Sequence, residues 1–174
     1  MIQFAKADPS FAETKAAQSE LQRVRLRRAT SLRLTGKYEL ALEEVDTLLK
    51  ENERLLAAVM EKGRVLQDWG GQSSAKWADA AKQWDQTSRK LQNMSPRPAE
   101  YFEARYGLAF CLARTGKKDD AVKVLRSTMT LSPAVGGPEM RGKFETLLKE
   151  LDPTGPPPAT KAAASPSAAP ASNP

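Results

Sequence analysis

Glycine residues end three helix-like stretches of this chain at similar intervals. Gly36, Gly70 and Gly116 each follow a run with apolar residues at helical spacing, and each precedes a segment that soon contains a small alanine. Gly36 and Gly70 are 34 residues apart. Ala29 and Gly63, each seven residues before one of these glycines, show the same interval. A period of this size is typical of arrays in which each unit is a pair of helices. The sequence therefore predicts a stack of helical units.

The spacing of apolar residues predicts the individual helices of this stack. Apolar side chains recur every three or four positions, which places them on one face of a helix. Asp8 or Ser10 would cap the first helix, and the segment 93–98 (NMSPRP) is a helix-breaking connection. The predicted helices span residues 10–34, 38–50, 53–69, 75–91, 99–114, 119–131 and 138–151.

The chain divides into three segments by composition. Residues 1–9 form a lead segment, 10–151 the helical domain and 152–174 a tail. The tail is rich in Pro, Ala and Ser and has almost no charge and no large apolar side chain. Such a segment cannot bury enough surface to offset the entropy lost on ordering. We therefore predict that the tail is disordered.

Small residues mark the places where paired helices approach most closely. Two helices can pack tightly only where one of them presents a small side chain to a larger one on its partner. We expect Ala29, Gly63 and Ala109 to receive the side chains of Val45, Trp84 and Leu125, respectively. Trp69, Trp77 and Trp84 all occur at helical spacing within apolar stripes, which favours packing over ligand stacking.

The segment from Tyr101 to Pro133 resembles a tetratricopeptide repeat. The matching positions are Leu108, Ala109, Gly116, Ala121 and Pro133 in this unit, Ala29, Leu32, Gly36, Tyr38 and Ala41 in the first, and Gly63, Leu66, Gly70, Trp77, Ala80 and Trp84 in the second. The resemblance covers residues 22–133, with 138–151 as a capping helix. It implies an all-α fold, a right-handed superhelical stack of antiparallel helix pairs that forms an α-solenoid.

The resemblance also implies where a partner would bind. In proteins of that family the first helix of each pair lines a concave surface. Transferred to this chain, that surface has apolar anchors and an arginine-rich rim, formed by Arg23, Leu26, Arg27, Thr30, Arg33, Met60, Arg64, Tyr106, Phe110 and Arg114. The same projection adds Ala57, Glu61, Gln67, Glu103 and Gly107.

Arginine forks bind carboxylates through two parallel hydrogen bonds. The leading hypothesis is therefore a non-catalytic interaction module or scaffold that binds an acidic peptide or protein segment. The clamp with which some family members hold a C-terminal carboxylate is not matched, because residues such as Leu26, Glu61 and Gly107 occupy its positions.

Nucleic-acid binding is an alternative function. Between Gln22 and Lys37 there are six basic residues and no acidic one, and the whole chain has a net charge of +6. A basic helix of this kind attracts phosphates. The run lacks the interleaved aromatic residues that stack on bases.

Self-assembly is a third possibility. The groove of a structural subunit could be filled by its own N-terminal segment, by its tail or by another copy of the chain. The lead helix is long for one repeat, so its first two turns could pack on an upstream unit. A homo-oligomer is the expected outcome in that case.

The residue types needed for most catalysis are missing. The chain has no histidine and a single cysteine, Cys111, which lies in an apolar run that favours a buried thiol. There is no phosphate-binding loop and no spacing typical of a metal site. The sequence therefore predicts a protein that is not an enzyme and has no cofactor or metal. With no signal peptide or membrane span in view, we expect a cytoplasmic location.

Overall fold

The computed structural model describes residues 15–155, and within that range the chain has seven α-helices and no strand. These are α1 (Lys15–Leu34), α2 (Tyr38–Glu51), α3 (Leu56–Gly70), α4 (Lys76–Leu91), α5 (Ala99–Arg114), α6 (Lys118–Leu131) and α7 (Pro138–Leu151). The all-α fold class predicted from the sequence is confirmed. Lead segment 1–9, the cap at Asp8 or Ser10 and the tail from residue 156 lie outside the described residues.

From the end of α1 onward, the predicted helix boundaries agree with the structure to within about a residue, except at the start of α3. The predicted start of the first helix at residue 10 lies outside the described residues. Helix α3 was predicted from residue 53 and begins at Leu56. Oδ1 of Asn52 accepts a hydrogen bond from the backbone N–H of Arg54 at 3.1 Å, and its carbonyl accepts one from Leu55 at 3.1 Å. This asparagine-centred turn occupies the residues that we had predicted to be the first turn of the helix.

Two of the three recurring glycines end helices in the way that the sequence predicts. Gly36 and Gly116 have φ angles of +75° and +80°, a left-handed conformation that glycine adopts without a steric penalty. The N–H of Lys37 donates to the carbonyl of Leu32 at 2.8 Å, and Lys117 donates to Leu112 at 3.0 Å. These bonds satisfy carbonyls that the ends of α1 and α5 would otherwise leave unpaired.

Gly70 has a different role from the other two. It is the last residue of α3, and a Cβ at this position would lie 2.5 Å from the ring of Trp77 on α4. The glycine is needed here because the indole packs directly on the backbone. The two glycines that are 34 residues apart therefore have different roles: Gly36 forms a turn, and Gly70 makes room for the indole of Trp77.

Consecutive helices pack side by side, and α1 and α2 run in opposite directions. Arg25, near the middle of α1, pairs with Glu51 at the end of α2, whereas the later Arg28 pairs further back along α2 with Glu44. Every consecutive pair from α1 to α7 is in contact. Further contacts join α1 to α3, α3 to α5 and α5 to α7. Within residues 15–155 the even-numbered helices do not contact one another, so the odd-numbered helices form a continuous layer.

Trp84 is the largest fully buried side chain and lies between two glycines. It is on α4 and is 1% exposed. A Cβ at Gly63 on α3 would lie 2.7 Å from its ring, and one at Gly107 on α5 would lie 2.6 Å from its Nε1. Nε1 donates a hydrogen bond to Oε1 of Gln67 at 2.9 Å. Gly63 receives Trp84 as expected, but Gly107 faces this indole rather than the predicted groove.

We expect Gly107→Ala to lower the free energy of unfolding by about 1–2 kcal/mol. Overpacking a core costs about 1–3 kcal/mol, and the gain in helix propensity returns about 1 kcal/mol at most. Trp84 cannot move aside, because Gly63 lies equally close on its other side. The measurement is urea unfolding followed by circular dichroism.

Gly142→Ala in α7 is the matched control. A Cβ at Gly142 meets nothing within 4 Å, so the alanine is expected to stabilise the protein by about 0.5–1 kcal/mol. Equal stabilities for the two variants would contradict the role given to Trp84.

Candidate functional site

The layer of odd-numbered helices is crossed by a row of alternating charges, which we call the charge ladder. Its centre is Glu61 on α3, whose side chain is 3% exposed. Oε1 of Glu61 accepts a hydrogen bond from Nε of Arg33 on α1 at 2.8 Å, and Oε2 accepts one from Nη1 of Arg64 at 3.3 Å. A buried carboxylate is stable only when such partners replace its water.

The ladder continues on both sides of Glu61. Nη1 of Arg33 donates to Oδ2 of Asp68 at 2.6 Å. Arg64 holds Glu103 on α5 with two hydrogen bonds, from Nε at 2.7 Å and from Nη2 at 2.8 Å. The paired geometry is the strong form of an arginine–carboxylate contact. Two arginines and three carboxylates therefore connect α1, α3 and α5.

Hydrogen bonding outweighs burial at both arginines of the ladder. Burial is the largest effect on Arg33 and by itself would lower its pKa, but the bonds to Glu61 and Asp68 together raise that pKa. At Arg64 the hydrogen bonds to Glu103 are the largest effect and raise the pKa despite burial. Both guanidinium groups are therefore charged and engaged with carboxylates of the chain itself.

Three of the predicted binding residues are committed to the fold. Arg33 is 14% exposed in its side chain and bonded to two carboxylates. All three side-chain nitrogens of Arg64 already donate to carboxylates. Met60 is 2% exposed and packs in the core beside Trp84, so the prediction that it is an accessible anchor is wrong. Carboxylates of the chain itself therefore neutralise much of the charge of the predicted arginine rim.

The other predicted residues on α1 are differently exposed. Leu26 is half-buried and packs on the cluster of Ala29, Val45, Leu48 and Ala58. Thr30 is half-buried.

Arg23 pairs with Glu20 in an exposed contact at 2.6 Å, which contributes little to stability. Arg27 is exposed and forms no ion pair with the described residues.

The predicted residues on α5 are close together. The rings of Tyr106 and Phe110 are stacked with centroids 6.3 Å apart, and the guanidinium of Arg114 lies 5.0 Å from the Phe110 ring. Both aromatic rings are half-buried, because Trp77 packs against Phe110 and Phe144 against Tyr106. Arg114 is exposed and has no carboxylate partner among residues 15–155.

Sequence reasoning missed the carboxylates that complete the charge ladder. Arg33 and Glu61 are 28 residues apart, and Arg64 and Glu103 are 39 apart. No local pattern relates charges at such distances. Arg33 lies in the last turn of α1, Glu61 and Arg64 near the middle of α3, and Glu103 in the second turn of α5. Position within the helix therefore gives no signal either.

The single cysteine is buried, and the described residues offer no candidate metal site. Burial, the main cause, raises the pKa of the Cys111 thiol from 9.0 to about 12. Residues 15–155 contain no group of three or more His, Cys, Asp or Glu side chains placed to hold a metal ion. Over the same range, no helix has both the length and the apolar character needed to cross a bilayer.

Comparison with known proteins gives no match. No family model, no curated protein and no solved structure matches this chain. The resemblance to tetratricopeptide repeats therefore depends on the residues of the chain itself.

We expect Arg33→Met to reduce the free energy of unfolding by about 2–4 kcal/mol. It leaves Glu61 buried with only the 3.3 Å contact to Arg64, and an uncompensated buried charge is strongly destabilising. Arg28→Met on the same helix is the control, because Arg28 is 69% exposed and pairs with Glu44. That control should cost less than about 1 kcal/mol. Equal losses in urea unfolding would show that the ladder is not structural.

Cys111 should react only after the protein unfolds. A pKa of about 12 in place of 9.0 reduces the reactive thiolate at pH 8 about a thousandfold, and the side chain is also inaccessible. The measurement is the rate of labelling by an aromatic disulfide reagent at pH 8, with and without urea. Rapid labelling of the folded protein would contradict the buried placement.

Proposed function

We propose that this protein is a non-catalytic interaction module with the architecture of a tetratricopeptide-like α-solenoid. The observation that supports this most is the pattern of helix contacts. Each odd-numbered helix contacts the next odd-numbered helix, whereas within the described range the even-numbered helices contact only their neighbours in sequence. Such a pattern is what a stack of helix pairs produces, and stacks of this kind present extended surfaces that bind other proteins.

The proposed ligand is an acidic peptide or protein segment that lies across the odd-numbered helices. The exposed cations Arg27 and Arg114 are on α1 and α5, the first and third helices of this layer. The half-buried rings of Tyr106 and Phe110 form an apolar contact area beside Arg114. The charge ladder between them holds the helices in place, so the surface needs little reordering on binding.

The nucleic-acid alternative has weaker support than it had from the sequence. Three arginines of the basic run pair with carboxylates from other helices: Arg25 with Glu51, Arg28 with Glu44, and Arg33 with Glu61. Pairing of this kind removes charge that would otherwise contact phosphates.

Self-assembly keeps one supporting observation. Leu21 and Val24 on α1 are 54% and 57% exposed, although their spacing predicts a packed stripe. An upstream unit or a second copy could cover them. The cytoplasmic location remains a prediction of the sequence.

The test is selection of 16-residue peptides from a random display library with the full-length chain as target. We expect the enriched peptides to contain several Asp or Glu residues with apolar residues between them. Their affinity should fall at least about tenfold for the double variant Arg27→Glu/Arg114→Glu, since each change replaces an attraction by a repulsion.

A double variant in which Lys50 and Arg54 become Glu serves as control. Both residues are exposed, and neither forms an ion pair with the described residues. The control carries the same change in net charge, so it should keep most of the affinity. Absence of any enriched peptide, or equal binding by the two double variants, would refute the proposed site.

A further inference from the structure

A second groove lies on the side of α5 that faces away from the surface proposed above. It has a volume of about 550 Å³ and is bounded by α4, α5 and α6. On α5 it is lined by Arg105, Leu108 and Leu112, which are spaced three and four residues apart and so share one face. Tyr106 and Phe110 point roughly the opposite way, because each residue turns the helix by about 100°.

Arg105 is unlike the other half-buried arginines of the odd-numbered helices. Its Nε donates to Oγ1 of Thr128 at 2.9 Å, and its Nη2 donates to Oγ of Ser127 at 3.0 Å and to the carbonyl of Val124 at 3.3 Å. It forms no ion pair with a carboxylate of residues 15–155. Arg33 and Arg64, at comparable depth, each pair with two carboxylates.

The charge of Arg105 is only partly compensated by the chain itself. Desolvation by burial is the largest effect on this guanidinium and lowers its pKa, and the smaller electrostatic effects of Tyr101 and Asp85, which raise the pKa, do not offset it. A cation withdrawn from water normally recovers that loss by pairing with an anion. No side-chain nitrogen or oxygen that is fully buried lacks a hydrogen-bond partner in the described residues, so the unbonded Nη1 of Arg105 reaches solvent in the groove.

The rest of the groove has a basic rim over an apolar floor. Lys82, Arg89 and Lys117 line it together with Arg105, against the two carboxylates of Asp85 and Asp120. Asp85 already pairs with Arg89 at 2.8 Å, and Asp120 is 3.5 Å from Lys123. The floor consists of apolar side chains, namely Ala81, Leu108, Leu112 and Val124.

We propose that this groove binds an acidic amphipathic segment of a partner protein, with a carboxylate on Arg105 and apolar side chains on the floor. Charge complementarity identifies the occupant, because the lining has more cations than carboxylates and the half-buried Arg105 has no described carboxylate within ion-pair distance. The tail from residue 156 cannot supply the side chain, since it contains no Asp or Glu. The inference does not depend on the surface that carries Arg27 and Arg114.

The experiment uses the full-length chain and a synthetic 14-residue peptide with Glu and Leu at helical spacing. A second peptide has Gln in place of every Glu. Fluorescence anisotropy should show that the Glu peptide binds at least about tenfold more tightly, with an affinity that falls as salt is added. Amide NMR shifts should move in α4, α5 and α6, around Lys82, Arg105 and Val124.

Two variants of the groove locate the interaction. We expect Lys82→Glu/Lys117→Glu to weaken binding of the Glu peptide about tenfold, because both side chains are exposed on the rim and the fold should be unaffected. Arg105→Gln keeps an N–H donor at the position of Nε, which bonds Thr128, but removes the charge. It should bring the affinity for the Glu peptide close to that for the Gln peptide. Lys50→Glu/Arg54→Glu is again the matched control.

Several outcomes would overturn the proposal. Equal affinity for the Glu and Gln peptides would remove the role of charge. Loss of binding in Arg27→Glu/Arg114→Glu but not in Lys82→Glu/Lys117→Glu would place the acidic ligand on the other surface alone. Shifts at the groove that depend on protein concentration without any peptide would identify a second copy of this chain as the occupant.

Discussion

The position of α5 against α3 is set by one indole. Trp84 fills the space between Gly63 and Gly107, and neither glycine could carry a side chain without displacing it. The bond from its Nε1 to Gln67 fixes the rotation of the ring within that space. This single side chain of α4 therefore determines how far apart two odd-numbered helices lie. The bidentate contact between Arg64 and Glu103 requires that separation, because paired hydrogen bonds tolerate little error in distance.

The charge ladder and the indole act on the same helices in different ways. Apolar packing around Trp84 is non-directional, and by itself it would tolerate sliding of α5 along α3. Glu61 is buried, so its carboxylate penalises any arrangement in which Arg33 or Arg64 is displaced. A buried carboxylate with two cationic partners costs desolvation energy and is weak evidence for added stability. Its effect is to make one register of α1, α3 and α5 preferable to the others.

The sequence predicts where the helices lie along the chain, but it does not predict which side of each helix faces the core. Apolar spacing and glycines at helix ends placed α2 and α4 to α7 to within about a residue, because those signals are local. Met60, Gly107 and Arg64 were assigned to an open groove, and each lies in a contact instead. A rotation of a helix by one residue position, about 100°, separates a groove residue from a core residue. Partners 28 to 39 residues away decide that rotation, and no local pattern encodes them.

Three half-buried arginines of the odd-numbered helices differ in what neutralises them. Arg33 and Arg64 have carboxylate partners within the fold, and those bonds raise their pKa values. Arg105 is also withdrawn from water, yet its partners are hydroxyl groups and a carbonyl, and its pKa is lowered. Neutral partners satisfy hydrogen bonds without cancelling charge. Arg33 and Arg64 are paired with carboxylates of the fold, whereas Arg105 has only the more distant charge of Asp85 and can still take an anion from outside. This difference, more than the net charge of +6, indicates where an acidic partner gains most on binding.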